Sequence, residues 1–136
     1  MKDNLTHSRT SVYNINYHIV WSVKYRRKII TPDIESFLKE LIQHIANDNG
    51  FTVHMFEAGE RDHIHCFVSA PPKMAISQIV KCLKGISVRK LFEQFPETRR
   101  YLWKGQLWNH SYYVETIGFV SEENIRRYIE QQDKQY

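Results

Sequence analysis

The sequence predicts an α+β fold in which one antiparallel sheet carries its helices on a single face and a final helix lies outside that plan. Three observations predict it. Four segments alternate apolar and polar residues with a period of two, and three others repeat with the 3.6-residue period of a helix. Their order is strand, helix, strand, strand, helix, strand, helix. A chain of 136 residues is the size of one domain, with a core over about 11–117 and the last helix over about 121–134.

Residues 13–23 alternate, with Tyr17, Ile19, Trp21 and Val23 on one side, and read as the first strand. A basic, turn-like stretch, KYRRKIITP, follows. From Pro32 the period changes. Ile34, Phe37, Leu38, Leu41, Ile42 and Ile45 form one stripe of a helix that begins on proline and ends near Asn49-Gly50. Phe51, Val53 and Met55 alternate as a second strand, and Glu57 to Asp62, with Gly59 inside, reads as a turn. His63 to Ala70 is a third strand with Ile64, Cys66 and Val68 on one face, stopped by Pro71-Pro72. A helix from about Ala75 to Phe92 carries the stripe Ile76, Ile79, Val80, Leu83 and Ile86, with Lys81, Lys84 and Arg89 off it. After a loop at Pro96, residues 107–117 read as one or two strands. Ser121 caps the last helix, with Glu122 and Glu123 in the first turn, where the helix dipole favours negative charge. The first six elements match the split βαβ, ferredoxin-like (RRM-like) arrangement.

An apolar fraction of 42% with 25% charged residues is ordinary for a globular protein. No apolar run approaches the roughly 18–20 residues of a membrane span, and MKDNLTHSRT lacks a secretory core, so the expectation is a cytoplasmic protein without a membrane partner. Cys66 and Cys82 sit in apolar patterns and read as free buried thiols. The net charge of +4 favours a polyanion, because Lys and Arg displace counterions from phosphates. Aromatics at 13% offer rings on which unpaired bases can stack. Many basic small domains nevertheless bind no nucleic acid.

The sharpest local feature is Asp62-His63-Ile64-His65. Strand alternation puts His63 and His65 on one face, where two imidazoles can share a metal ion, while Ile64 points to the core. Asp62 could orient an imidazole or merely finish the turn. The bland alternative is a solvent face that happens to carry two histidines. On the last helix Tyr128 and Gln132 stand at i and i+4 and share a face. Tyr128 could be one more core aromatic, but an amide at the next core position needs a polar partner, and a metal on two histidines would be one. A phenol beside a divalent cation is a nucleophile able to form a covalent intermediate with a phosphoryl group. The competing class is a non-catalytic ferredoxin-like module binding single-stranded nucleic acid, which would leave this combination unexplained.

His63-Ile64-His65 with the downstream Tyr128 resembles the HUH single-tyrosine transposases of the smallest bacterial insertion sequences, of which the REP-associated tyrosine transposases are close relatives. The resemblance runs over nearly the whole chain, through YHIVWSVKYRRKI, DHIHCFVSAPP, LKGISVRKL, WNHSYYVETIG and RYIEQQ. It implies a metal-dependent enzyme that cuts and rejoins single-stranded DNA beside hairpins at the element ends, through a 5′-phosphotyrosine link. It further implies Tyr128 as nucleophile, and His63, His65 and Gln132 as ligands of Mg²⁺, with Mn²⁺ as the other choice. Lys81, Lys84 and Arg89 would contact DNA phosphates. The working unit would be a homodimer whose active sites are completed in trans by the tyrosine helix.

Overall fold

Residues 5–118 and, beyond them, residues 123, 126 and 127 are described in the structure, a computed structural model. A short hairpin pairs β1 (Thr6–His7) with β2 (Val12–Tyr13). The six expected core elements follow: β3 (Asn16–Ser22), α1 (Pro32–Asn49), β4 (Thr52–Gly59), β5 (His63–Ser69), α2 (Ile76–Gln94) and β6 (Tyr113–Ile117). The sheet order is β4-β5-β3-β6 and every neighbouring pair is antiparallel. This is the split βαβ order: β5 comes between β3 and β4, the two strands that α1 connects.

Local chemistry explains the helix ends. Thr31 accepts a hydrogen bond from the Ile34 N–H at 3.3 Å, Pro32 occupies the first turn, and Gly50 closes α1 at φ 81° while donating its N–H to Ala46. The apolar stripe of α1 (Ile34, Leu38, Ile42, Ile45) and that of α2 (Ile79, Val80, Leu83, Leu91) pack with Ile19, Trp21, Val23, Ile64, Cys66 and Val68 into one core. Burial pushes the Cys66 thiol far above its ordinary range, which leaves it an inert core residue.

Two details depart from the sequence reading. A bulge between Val53 and Met55 shifts the register of β4, so Phe56 rather than Met55 faces the core beside Val53. Strand β4 also runs on to Gly59, which confines the turn to residues 60–62, with Glu60 and Arg61 both left-handed at φ 48° and 65°. Such turns are usually built from Asn-Gly, and here neighbouring chain holds an unfavoured pair in place. The Ile30 N–H donates to Arg61 O at 3.1 Å and Lys28 Nζ to Glu60 O at 3.2 Å. Residues 107–117, expected as one or two strands, give one strand plus an isolated bridge, Trp108 to Val23.

Glu123, Arg126 and Arg127 are helical, and Arg127 pairs with Glu123 at 3.4 Å. The rest of the expected last helix, Tyr128 and Gln132 included, lies outside the described residues. Among the described residues no helix is long and apolar enough to cross a membrane.

Candidate active site

Alternation along β5 turns Ile64, Cys66 and Val68 into the helix-side core and sends His63, His65 and Phe67 to the opposite face. That face is not open to solvent. His63, His65 and Phe67 are buried, as are His18 and Val20 next to them on β3. Two chance surface histidines would be exposed, so burial favours a purposeful pair. The two imidazole centroids are 5.0 Å apart with the rings steeply inclined.

Each imidazole is oriented through its Nδ1 atom. Asp62 Oδ1 lies 2.7 Å from His63 Nδ1, within hydrogen-bond reach of that imidazole. Asp62 is itself nearly buried, and its charge is balanced by Arg26 Nε at 3.3 Å and Lys28 Nζ at 3.9 Å. A second guanidinium nitrogen of Arg26 comes within 3.4 Å of His63 Nδ1.

His65 Nδ1 is 3.1 Å from His18 Nε2, and His18 Nδ1 faces Glu115 Oε1 at 3.6 Å. Tyr113 in turn donates its hydroxyl to Glu115 Oε2 at 2.8 Å. A proton on His18 Nδ1, facing the carboxylate, makes His18 Nε2 the acceptor from His65 Nδ1–H. Nε2 of His65 is then the nitrogen suited to a metal. Burial pushes His18 below the ordinary imidazole value, against the opposing pull of Glu115, and so favours the neutral ring this arrangement needs.

Gly59 stands directly across from His63 in the β4–β5 ladder. A Cβ at that position would overlap the His63 ring, 2.6 Å from Cε1 and closer still to Nε2. The missing side chain thus makes the notch in which the Nε2 edge of His63 sits.

Sequence reasoning misses His18, Arg26 and Gly59. His18 is hidden because, with Tyr17, Ile19, Trp21 and Val23 facing the core, a polar residue between them looks like an ordinary outward position. The basic stretch around Arg26 offers only charge. Gly59 reads as part of a turn.

The cationic candidates on α2 part company. Lys81 and Arg89 are exposed on α2, on the helix side of the sheet, away from the histidine pair. Lys84 is engaged instead: its Nζ donates to Asn109 O at 2.5 Å and lies within 3.3 and 3.4 Å of His110 O and Ser111 O. Burial lowers its pKa, and the ammonium serves as a tie between α2 and the segment leading into β6.

Two imidazoles with Nδ1 engaged and Nε2 suited to coordination fit a divalent cation in donor chemistry. Among the described residues no cluster of three His, Cys, Asp or Glu is arranged to hold a metal. The described chain thus supplies two of the expected ligands, and the third, Gln132, lies outside it.

The Y1_Tnp family, "Transposase IS200 like", matches residues 11–132, a span that includes the positions of Tyr128 and Gln132. The chain is 40% identical over 124 residues to the ISDra2 transposase TnpA of Deinococcus radiodurans, covering 91% of this chain and 88% of that protein. It is 31% identical over 129 residues to the Salmonella typhimurium transposase for insertion sequence element IS200, covering 95% and 82%. Among solved structures, a crystal structure from Deinococcus radiodurans R1 assigned as a transposase matches with a TM-score of 0.76 at 36% identity, over 93% of this chain and 97% of that one. A REP-associated tyrosine transposase bound to a REP hairpin matches with a TM-score of 0.57 at 14% identity, over 91% and 67%, which shows a shared fold.

Proposed function

Because the chain belongs to the IS200-like transposase family, we propose that it cuts and rejoins single-stranded DNA at insertion-sequence ends with Tyr128 as the nucleophile. The phenolic oxygen of Tyr128 bonds to phosphorus, the bond from phosphorus to the 3′ oxygen breaks, and that oxygen takes a proton to become a 3′-hydroxyl. The 5′-phosphotyrosine conserves the phosphodiester energy, so attack by a 3′-hydroxyl reseals a strand without ATP. His63, His65 and Gln132 would hold Mg²⁺ or Mn²⁺. When bound, the cation supplies Lewis-acid polarisation of the phosphoryl oxygens.

The observation that carries this reading is the buried, oriented histidine pair. Asp62 holds His63 through Nδ1, and His18, backed by Glu115, faces His65 Nδ1. Such support fixes tautomer and ring direction before a ligand arrives. The substrate would present DNA hairpins, as the REP-associated neighbour's hairpin suggests. The unit would be a cytoplasmic homodimer with the tyrosine helix of each subunit serving the other's histidines.

Incubation with single-stranded DNA flanking the gene and Mg²⁺ or Mn²⁺, followed by a denaturing gel, tests the reading. An adduct that is lost in EDTA, in His63→Ala and in His65→Ala supports it, with a milder loss in Gln132→Ala. A shift seen only in native gels would instead mark a binding module without chemistry.

A further inference from the structure

Strand β6 does not stay paired with β3 as it approaches the histidine pair. The ladder holds at Val20–Tyr113 and the two chains touch again at the Val23–Trp108 bridge. Three residue steps on β3 face five on the other chain, so two extra residues bulge away between these points. The bulge opens a cavity of about 390 Å³ whose lining includes Val20, Ser22, Arg26, Asn109, Ser111 and Tyr112. Its β3 side is built from residues that pair with the site: Val20 is the cross-strand partner of His65, and Ser22 of His63. Directly opposed side chains on one sheet face have Cβ atoms about 4.5–5.5 Å apart, so the cavity adjoins the two imidazoles.

Three features give this cavity a ligand chemistry. First, the Arg26 guanidinium is both in the lining and at the site, 3.3 Å from Asp62 Oδ2. A guanidinium is a planar fork of donors whose geometry matches phosphate oxygens. Second, Tyr25 and Arg26 are held in left-handed backbone at φ 61° and 54°. Residues so strained persist only where surrounding structure enforces them, here through Arg26 N–H donating to Val23 O and Lys24 N–H to Leu107 O, both at 2.8 Å. Third, the bulge is built rather than loose: Lys84 gathers its carbonyls, and the Asn109 N–H donates to Ser22 O at 2.9 Å. That wall carries Tyr112, 39% exposed, an aromatic face available to a base.

We propose that the cavity between β3 and the 109–112 bulge seats the nucleotide next to the bond being cut, with Arg26 on its phosphate and Tyr112 stacked on its base. The proposal rests on the transposase reading above and adds the place where the substrate strand enters the site. The volume lies within the roughly 300–1,000 Å³ of small-ligand pockets, room for one nucleotide and not for a duplex. Side-chain polarity in the lining (Ser22, Asn109, Ser111) suits sugar and phosphate oxygens more than it suits an apolar ligand. It also gives Lys84 a role other than direct phosphate contact: it sets the shape of the wall.

The test uses the full chain and a single-stranded oligonucleotide from the DNA flanking the gene. 5-Iododeoxyuridine is placed at successive positions, and ultraviolet crosslinks are mapped by peptide sequencing. The expected result is a crosslink within residues 109–113 only when the probe base neighbours the cleaved bond. Alongside, Arg26→Ala and Tyr112→Ala should each lower kcat/KM by roughly ten- to hundredfold, with Arg26→Lys recovering part of the loss and the melting temperature checking the fold. Crosslinks that map to other segments, or Arg26→Ala and Tyr112→Ala proteins with wild-type kcat/KM, overturn the assignment even while the wild type cuts DNA. Crosslinking needs no cleavage, so a crosslink at 109–113 in a protein that never cuts would overturn both the transposase reading and the assignment of the cavity to the cleaved bond, leaving a surface that only binds single-stranded DNA.

Discussion

Gly59→Ala adds one methyl group where the structure has no room for it. The new Cβ would lie 2.6 Å from Cε1 of His63, whereas ordinary carbon–carbon contact is 3.4–4 Å. Either the imidazole or the strand must retreat by roughly 1 Å, since a buried ring held at Nδ1 by Asp62 cannot simply rotate clear. Overpacking of this size costs about 1–3 kcal/mol, a fall in melting temperature of a few to about ten degrees for a domain this long. The effect on chemistry should be larger, because a displacement of about 1 Å in a reacting group can cost on the order of a hundredfold in rate. The assay is single-turnover cleavage of flanking single-stranded DNA, read beside thermal melting. Gly85→Ala is the control. Gly85 lies inside α2, where an added Cβ would meet nothing within 4 Å, so alanine there should stabilise the fold by about 0.5–1 kcal/mol and leave cleavage unchanged. A Gly59→Ala protein that cuts at the wild-type rate would refute the claim that His63 works from the position seen here.

His18→Ala should weaken Mn²⁺ binding by roughly 10–100-fold, because His65 loses the partner that fixes its Nδ1 proton, and titration by electron paramagnetic resonance reads this without cleavage. Wild-type affinity in that variant would leave His18 a packing residue only. Partial desolvation holds the pKa of His54, an exposed residue whose Nε2 lies 2.6 Å from Ser69 Oγ, below its ordinary value of 6.5, so the unfolded chain takes up a proton that the folded chain resists. Its contribution to stability is therefore full above pH 6.5 and lost as pH falls below it, and His54→Gln should flatten the decline in urea midpoint between about pH 8 and about pH 5. An unchanged decline would place the acid sensitivity elsewhere. Mixing Tyr128→Phe subunits with His63→Ala subunits should restore cleavage if the sites are completed in trans, since one site in each mixed dimer is then intact. Persistent inactivity in confirmed mixed dimers would indicate cis assembly.

The fold was legible because its signal is periodic and local. Ile34 to Ile45 turns one stripe to the helix-side core, as Ile64, Cys66 and Val68 do on β5, and no tertiary accident disturbs their period. What failed to read were local exceptions to the period. The bulge at residue 54 exchanges Met55 for Phe56, and the Glu60-Arg61 turn carries none of the residues that favour left-handed backbone. The candidate site divides the same way. The spacing of His63 and His65 is visible in the sequence, and adjacency put Asp62 beside them. His18 is 47 positions from His65 and meets it only through the β3–β5 register. Arg26 reaches Asp62 and His63 by way of a left-handed pair that no sequence rule anticipates. Lys84, which the resemblance implies as a phosphate contact, holds the connection into β6, a partner the sequence does not show, because spacing identifies a helix face and not what that face meets.

The central claim is a covalent bond between Tyr128 and a DNA 5′ phosphate, and peptide mapping of the trapped complex tests it most directly. After incubation with flanking single-stranded DNA and Mg²⁺, nuclease trimming and trypsin, the fragment from Tyr128 to Lys134 should carry the mass of a nucleotide residue. The released strand should end in a 3′-hydroxyl that a polymerase can extend. Tyr128→Phe should give neither product. An adduct on any other residue, or cleavage that leaves no covalent complex at all, would contradict the account.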